Sequence, residues 1–262
     1  MRVITLTLLL SMASVAVAQQ PSAPAAAPPS PKIAPAPPEH KFPNGQSYTY
    51  AVEWRLFTAG TASLKIDSAG REMRVTSAAD AGGVVSVLYH VHDRVEAFFD
   101  SQTFCSRALT KHTEEGRRRL DTNIVFDYAK KKSLLDEKNL KDNKTKHEEN
   151  DIPECVSDVV SSIFYIGAQP LTAGSGFSFP LNDGGKTAEV KVAVEGRESL
   201  KTTAGDFKTV RVRIQSDTGK LKEKGAIWIW YSDDAARIPV LMKARLFWGA
   251  LLFKLQKTEL VK

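Results

Sequence analysis

Residues 187–196 read TAEVKVAVEG. Val190, Val192 and Val194 fall on one side of an extended chain, and Glu189, Lys191 and Glu195 on the other. Strict alternation of β-branched and charged residues marks a strand with one face in a core and one in water. The pattern recurs in both directions along the chain. In KTVRVRIQS (208–216), Val210, Val212 and Ile214 alternate with Arg211 and Arg213. In SYTYAVEWRL (47–56), Tyr48, Tyr50, Val52, Trp54 and Leu56 share a face. In LLFKLQK (251–257), Leu251, Phe253 and Leu255 do the same.

Glycine and Asx clusters separate these runs: Ala59-Gly60, Ser68-Ala69-Gly70, Asn182-Asp183-Gly184-Gly185, Thr203-Ala204-Gly205-Asp206 and Ser216-Asp217-Thr218-Gly219. Such clusters are turn chemistry, and their spacing predicts a meander of roughly ten to twelve strands. The polar segment 128–150 reads as a long exposed hairpin turning near Lys141-Asp142-Asn143. One segment breaks the period. PECVSDVVSSIFYIGAQ (153–169) spaces Val156, Val159, Val160, Ile163 and Phe164 by three and four, between Pro153 and Pro170. It predicts a helix of about three turns. The fold class is therefore mainly β: a large curved antiparallel sheet or open barrel packed around one main α-helix.

The first 18 residues combine Arg2, an apolar run from Val3 to Leu10 and the small-x-small site Ala16-Val17-Ala18. That is the layout of a secretory signal peptide cleaved before Gln19. Residues 19–43 hold nine of the thirteen prolines and read as a Pro/Ala-rich disordered linker, leaving 44–262 as one β-rich domain. A periplasmic or secreted location follows, with no transmembrane segment after cleavage. The two cysteines, Cys105 and Cys155, would then meet an oxidising compartment and pair.

The formal net charge is +6, with basic residues mostly interleaved with acids. The clearest cluster is Arg117-Arg118-Arg119, a solvated strand edge or a docking site for anionic headgroups or glycan. No nucleic-acid motif accompanies it. His90 and His92, two apart, would share a face if both lay on one strand; they read first as a structural pair of surface or sheet histidines and second as the start of a metal site, with His112 only a possible third ligand. There is no Gly-x-Ser-x-Gly elbow and no phosphate-binding glycine loop, so no cofactor is expected. Asp233-Asp234 is either an acid pair or the turn joining two strands. Ser232-Asp233-Asp234 is strong turn chemistry, and Arg237 is placed to pair with one of the aspartates.

Aromatics are plentiful: Trp54, Phe57, Trp228, Trp230, Phe247, Trp248 and Phe253. Trp228 and Trp230 alternate with Ile227 and Ile229, so both faces of that strand are apolar. Such a strand is either sandwiched or lines a cavity.

Four segments resemble an exported bacterial family, the domain of unknown function 3108. They are GQSYTYAVEWRLFTAGTASLKI (45–66), SDVVSSIFYIGAQPLTAG (157–174), VEGRESLKTTAGDFKTVRV (194–212) and IWIWYSDDAARIPVLMKARLFWGALLFKL (227–255). The resemblance implies an exported, mostly β protein without an assigned activity, and carries over no catalytic residues. A curved sheet around a helix is also similar to the periplasmic lipoprotein-carrier architecture, an analogy of shape only. The expectation is a non-enzymatic envelope protein that binds or carries a hydrophobic or amphipathic, lipid-like ligand between sheet and helix. Trp54, Phe164, Trp228, Trp230 and Phe253 are its candidate lining. Two rivals are an envelope glycan or lipid hydrolase using Asp233 or Asp234 with His90 or His92, and an interaction scaffold for envelope proteins.

Overall fold

The structure is a computed structural model that describes residues 32–35, 37–38, 40–55, 57–218, 225–246 and 249–261. The signal-peptide segment, Leu56, Phe247 and Trp248 lie outside the described residues, as does the linker up to residue 31. Residues 31–262 form one compact unit.

Among the described residues, fourteen strands make a single antiparallel sheet in the order β8-β7-β6-β5-β4-β3-β2-β1-β14-β13-β12-β11-β10-β9. In chain order they are β1 (Gln46–Trp54), β2 (Phe57–Ala69), β3 (Glu72–Ala81), β4 (Val91–Asp100), β5 (Ser106–Glu115), β6 (Arg118–Asp127), β7 (Lys132–Asn139) and β8 (Thr145–Asp151). The second half is β9 (Gly176–Leu181), β10 (Ala188–Thr202), β11 (Gly205–Gln215), β12 (Ile227–Ser232), β13 (Pro239–Leu246) and β14 (Gly249–Leu260). Nearly every connection is a hairpin between neighbours. The exception is the crossing from β8 at one edge to β9 at the other, which carries α2 (Ser161–Ala168). A short α1 (Gly83–Leu88) links β3 to β4. Segment 128–150 is the expected hairpin, β7 with β8.

The alternation read from sequence sets the faces. Tyr48, Tyr50, Leu64, Ile66, Val75, Val190, Val192, Val194, Val210, Val212 and Leu255 are buried in one cluster with Phe164, Tyr165 and Ile166 of α2. A second cluster joins Ala97, Leu109, Ile124, Phe126 and Leu135 to Ile152 and Val156 of the crossing segment. Burying a large apolar side chain contributes roughly 1.5–3 kcal/mol, so this inner face supplies most of the driving force. The sheet curls but does not close. Its edges approach each other through the crossing segment, where Ser157 bridges Leu181 in parallel, and directly from β8, where Asn150 Nδ2 donates to the Gly184 carbonyl of the β9–β10 turn at 3.2 Å. Gly60, in a left-handed conformation, marks a bend in β2; a Cβ there would lie 2.0 Å from the Asp80 carbonyl oxygen.

Two expectations are corrected. The helix spans eight residues, a little over two turns instead of about three, because Cys155 is held in a disulfide and Ser157 in the bridge to β9. The linker does not run free to residue 43: Ile33 and Phe42 pack on the core, and the Ala34 N–H donates to the Tyr165 hydroxyl at 3.2 Å.

The predicted disulfide is present. Cys105 and Cys155 are joined with an S–S distance of 2.04 Å across 50 residues. Beside it, buried Asp158 accepts from Ser106 Oγ at 2.6 Å and from the backbone N–H groups of Val160 and Ser161 at 2.9 and 2.8 Å. A carboxylate at that position also complements the helix dipole. Closing a loop of this length stabilises by about 4 kcal/mol in the chain-entropy account. Replacing both cysteines by Ala should lower the stability by about that amount in urea unfolding. Asp158→Ala should cost about 3 kcal/mol by the same measurement, and Asp158→Asn less, because one amide oxygen still accepts.

Candidate functional site

The five aromatic candidates do not converge on one space. Ile227, Ile229 and Tyr231 of β12 belong to the inner cluster, so Trp228 and Trp230, at the alternate positions, face outward. There they are capped by their neighbours. The Lys243 ammonium sits 5.7 Å from the Trp228 ring and the Arg211 guanidinium 6.0 Å from the Trp230 ring. Trp230 Nε1 donates to Glu198 Oε1 at 2.7 Å. Cation–π contacts and aliphatic stems satisfy these rings without a ligand. Trp54, at the end of β1, has the Arg55 guanidinium 5.0 Å from its ring. Phe164 and Phe253 lie inside, at the core.

The space between sheet and helix is filled by side chains. Phe99 stacks on Phe104 at 5.7 Å, Phe104 meets Tyr165 at 5.3 Å, and Tyr165 meets Phe179 at 4.9 Å. Tyr231 reaches across to donate to the Ile163 carbonyl of α2 at 2.7 Å, and burial pushes its phenol pKa well up. A cleft beside Phe164, Gly167 and Tyr231 holds about 10 Å³, room for about one water and not for an acyl chain.

A larger opening lies on the other face. A groove of about 740 Å³ crosses the strands from β2 to β8. The ladder registers place its walls. One row runs Thr76, Glu96, Thr110, Asn123, Asp136 and His147; the next runs Ser63, Ala78, Arg94, His112, Asp121, Lys138 and Thr145. Ser77, Val95, Lys111, Thr122 and Glu137 form the floor between them. These floor residues share parity with the core positions Val75, Ala97, Leu109, Ile124 and Leu135, so the rows point away from the core.

Ion pairs hold this wall in place. Arg94 donates to Asp80 Oδ1 at 2.9 Å, and His92 Nδ1 lies 2.7 Å from the same oxygen. His112 Nδ1 lies 2.6 Å from Asp121 Oδ1 and its Nε2 3.3 Å from Glu114 Oε1. Glu114 also meets His90 and Arg119, each at 3.1 Å. His147 pairs with Asp136. His90 precedes β4 rather than lying on it with His92, and each ring turns to its own carboxylate. Among the described residues, no group of three or more His, Cys, Asp or Glu is arranged to hold a metal ion.

Asp233 and Asp234 form the β12–β13 turn. Asp234 Oδ1 accepts from Ser232 Oγ at 2.8 Å and from the Ala236 N–H at 3.0 Å. Asp233 is bracketed by Arg197 at 2.7 Å and Arg237 at 3.3 Å, and the Arg197 hydrogen bond leads in holding its pKa below the usual carboxylate value. A carboxyl held ionised cannot serve as a general acid near neutrality. His90 and His92 lie at the opposite ends of their strands from this turn. Because the folded pKa is depressed, the contribution of Asp233 is present above the ordinary value near 3.8 and lost as pH falls through the folded value. Asp233→Asn should therefore lower Tm by about 2–4 °C at pH 7, with the difference vanishing near pH 2.

Sequence reading singled out Asp233-Asp234 and the histidines, but not the groove. Its rows are polar residues at alternate positions on six or seven strands, and only the pairing brings them together.

The family model described as "Protein of unknown function (DUF3108)" matches residues 49–256, and the chain belongs to that family. No curated protein matches the sequence. Among solved structures, a β-barrel-like protein of domain of unknown function DUF1849 from Brucella abortus is similar at 10% identity and TM-score 0.58. That match covers 89% of this chain and 100% of the other, and it supports the β-barrel-like fold alone. A protein with a YmcC-like fold from Bacteroides fragilis NCTC 9343 aligns at 11% identity over 84% of this chain and 98% of the other, with a TM-score of only 0.37. Among the described residues, no helix is long and apolar enough to cross a membrane.

Proposed function

We propose that this DUF3108 chain is an exported, non-enzymatic binding protein of the cell envelope that takes an extended, hydroxyl-rich ligand such as a glycan strand across β2–β8. The observation that carries the reading is the groove itself. Its volume of about 740 Å³ falls within the usual range for ligand sites. Its wall offers hydroxyls from Ser63, Thr76, Thr110 and Thr145, the Asn123 amide, and charges of both signs. That mixture suits a near-neutral ligand rich in donors and acceptors better than a strongly charged one. The floor backbone is already committed to the sheet ladder, so recognition falls to side chains rather than to an added strand.

Export is supported by the leader-like first 18 residues and by the disulfide, which persists in oxidising compartments. The non-enzymatic reading is supported by the paired state of every acid and histidine considered as catalytic. Carriage of a lipid between sheet and helix is not favoured, because that space is taken by Phe104, Tyr165 and Phe179.

Titration with soluble glycan oligomers such as chitohexaose, followed by amide chemical shifts, should move resonances along β3–β7 and leave those of β10–β13 in place. Arg94→Ala and Asn123→Ala should each weaken binding by about tenfold. Shifts confined to α2 and β12 on adding a fatty acid, with none in the groove for glycans, would overturn the assignment.

The groove also carries its own pH dependence. Hydrogen bonds donated to the Asp121 and Glu114 carboxylates raise the His112 pKa above its ordinary 6.5. Protonated His112 is thus favoured in the folded state: its contribution is complete below about pH 6.5 and lost as pH rises through the folded value. The Tm difference between the wild type and His112→Gln should be present at pH 5.5 and close by pH 9.

A further inference from the structure

We propose that the end of the sheet carrying α1 docks on the surface of an anionic lipid bilayer. This surface lies apart from the groove, and the inference stands independently of what the groove binds. The two ends of the strands differ in kind. At one end sit the disulfide, α2 and the β12–β13 turn, where Asp233 pairs with Arg197 and Arg237. At the other end, Val87, Leu88 and Tyr89 are 85%, 79% and 52% exposed, and Phe57 is 64% exposed. They form one tip. The Gly82 N–H donates to the Ala59 carbonyl at 2.9 Å, which lays α1 against the start of β2 close to Phe57. The Tyr89 ring packs over Gly116 in the β5–β6 turn, where a Cβ would lie 2.7 Å from it.

Cations surround the tip. Arg55 in the β1–β2 turn, Arg117 in the β5–β6 turn and Arg245 near the β13–β14 turn are exposed. None has a carboxylate within ion-pair reach among the described residues. Most acids of this end are engaged by cations, Glu53 with Lys254, Asp80 with Arg94, Glu114 with Arg119 and Glu115 with Arg118, while the Asp93 carboxyl lies against Glu115 and burial raises its pKa. Unneutralised guanidinium groups around an apolar projection complement a layer of phosphate headgroups over acyl chains. An apolar partner protein would leave those three arginines unanswered. Arg117 is thereby accounted for as more than a solvated edge, while Arg118 and Arg119 are spent on Glu115 and Glu114.

The test places an environment-sensitive NBD fluorophore at Leu88→Cys in the full chain, where the native cysteines are joined and do not react. On phosphatidylcholine vesicles containing phosphatidylglycerol, the emission should shift to the blue and rise several-fold. It should stay unchanged on phosphatidylcholine alone. The same label at Asp206→Cys, on the opposite end, should not respond. Val87→Asp, and separately Arg55→Glu with Arg117→Glu, should each reduce partitioning by about tenfold at low salt. An unshifted label at position 88 on anionic vesicles would overturn the proposal. So would variants that partition like the parent. A blue shift that grows with protein concentration in the absence of lipid would assign the tip to a second copy of the chain instead.

Discussion

The fold depends on one knot. After β8 the chain must leave one edge of the sheet, cross the open end and begin β9 at the other edge. The disulfide from Cys105 to Cys155, the Ser106–Asp158 hydrogen bonds and the bridge from Ser157 to Leu181 all fall within that crossing. Tyr128 adds its hydroxyl to the Ser106 carbonyl at 2.7 Å, and burial raises that phenol to about 12. These ties fix where α2 begins, since its own start has no capping side chain at Val160, and the buried Phe164, Tyr165 and Ile166 seat it on the inner face. Tyr231 then clamps the helix from the far side through the Ile163 carbonyl. A buried carboxylate is costly unless its hydrogen bonds are met, and the bonds at Asp158 meet that condition.

The two faces of the sheet divide the work. The inner face is packed with aromatic rings in edge and stacked contacts, which makes it a poor container. The outer face over β2–β8 is polar, cross-braced by ion pairs and left open. Its walls are held by a network in which Asp80 and Glu114 each serve more than one cation or imidazole. Side chains held in this way lose less freedom when a ligand arrives, which favours binding over mere solvation.

Much of the architecture was legible in the sequence because it rests on period two. The valines of β10 and β11, the tyrosines of β1 and the β7–β8 hairpin all lie where alternation and turn residues place them. The Asp233-Asp234 turn and the Cys105–Cys155 pair were readable from local chemistry and compartment. The helix was overcalled because Val156 and Val160 satisfy helical spacing although only Val160 adjoins α2; Val156 is buried from an extended segment. α1 was missed since Gly82-Gly83 followed by valines reads as strand. The Trp–Ile alternation suggested a cavity, and its outer half proved to be aromatic rings under Arg211 and Lys243. The groove was illegible for a different reason: its residues are dispersed from Ser63 to His147, and no local pattern links them.

The sheet's midline sets the order in which it can be built. β1 pairs with β2 at once, but its other neighbour is β14, and Val52 meets Phe253 only about 200 residues later. β14 is thus the strand that joins the two halves, and the central seam stays unzipped until residues 249–260 are available to pair. The two halves can each zip by local hairpins, but the full fourteen-strand state is topologically out of reach of any fragment that stops short of β14.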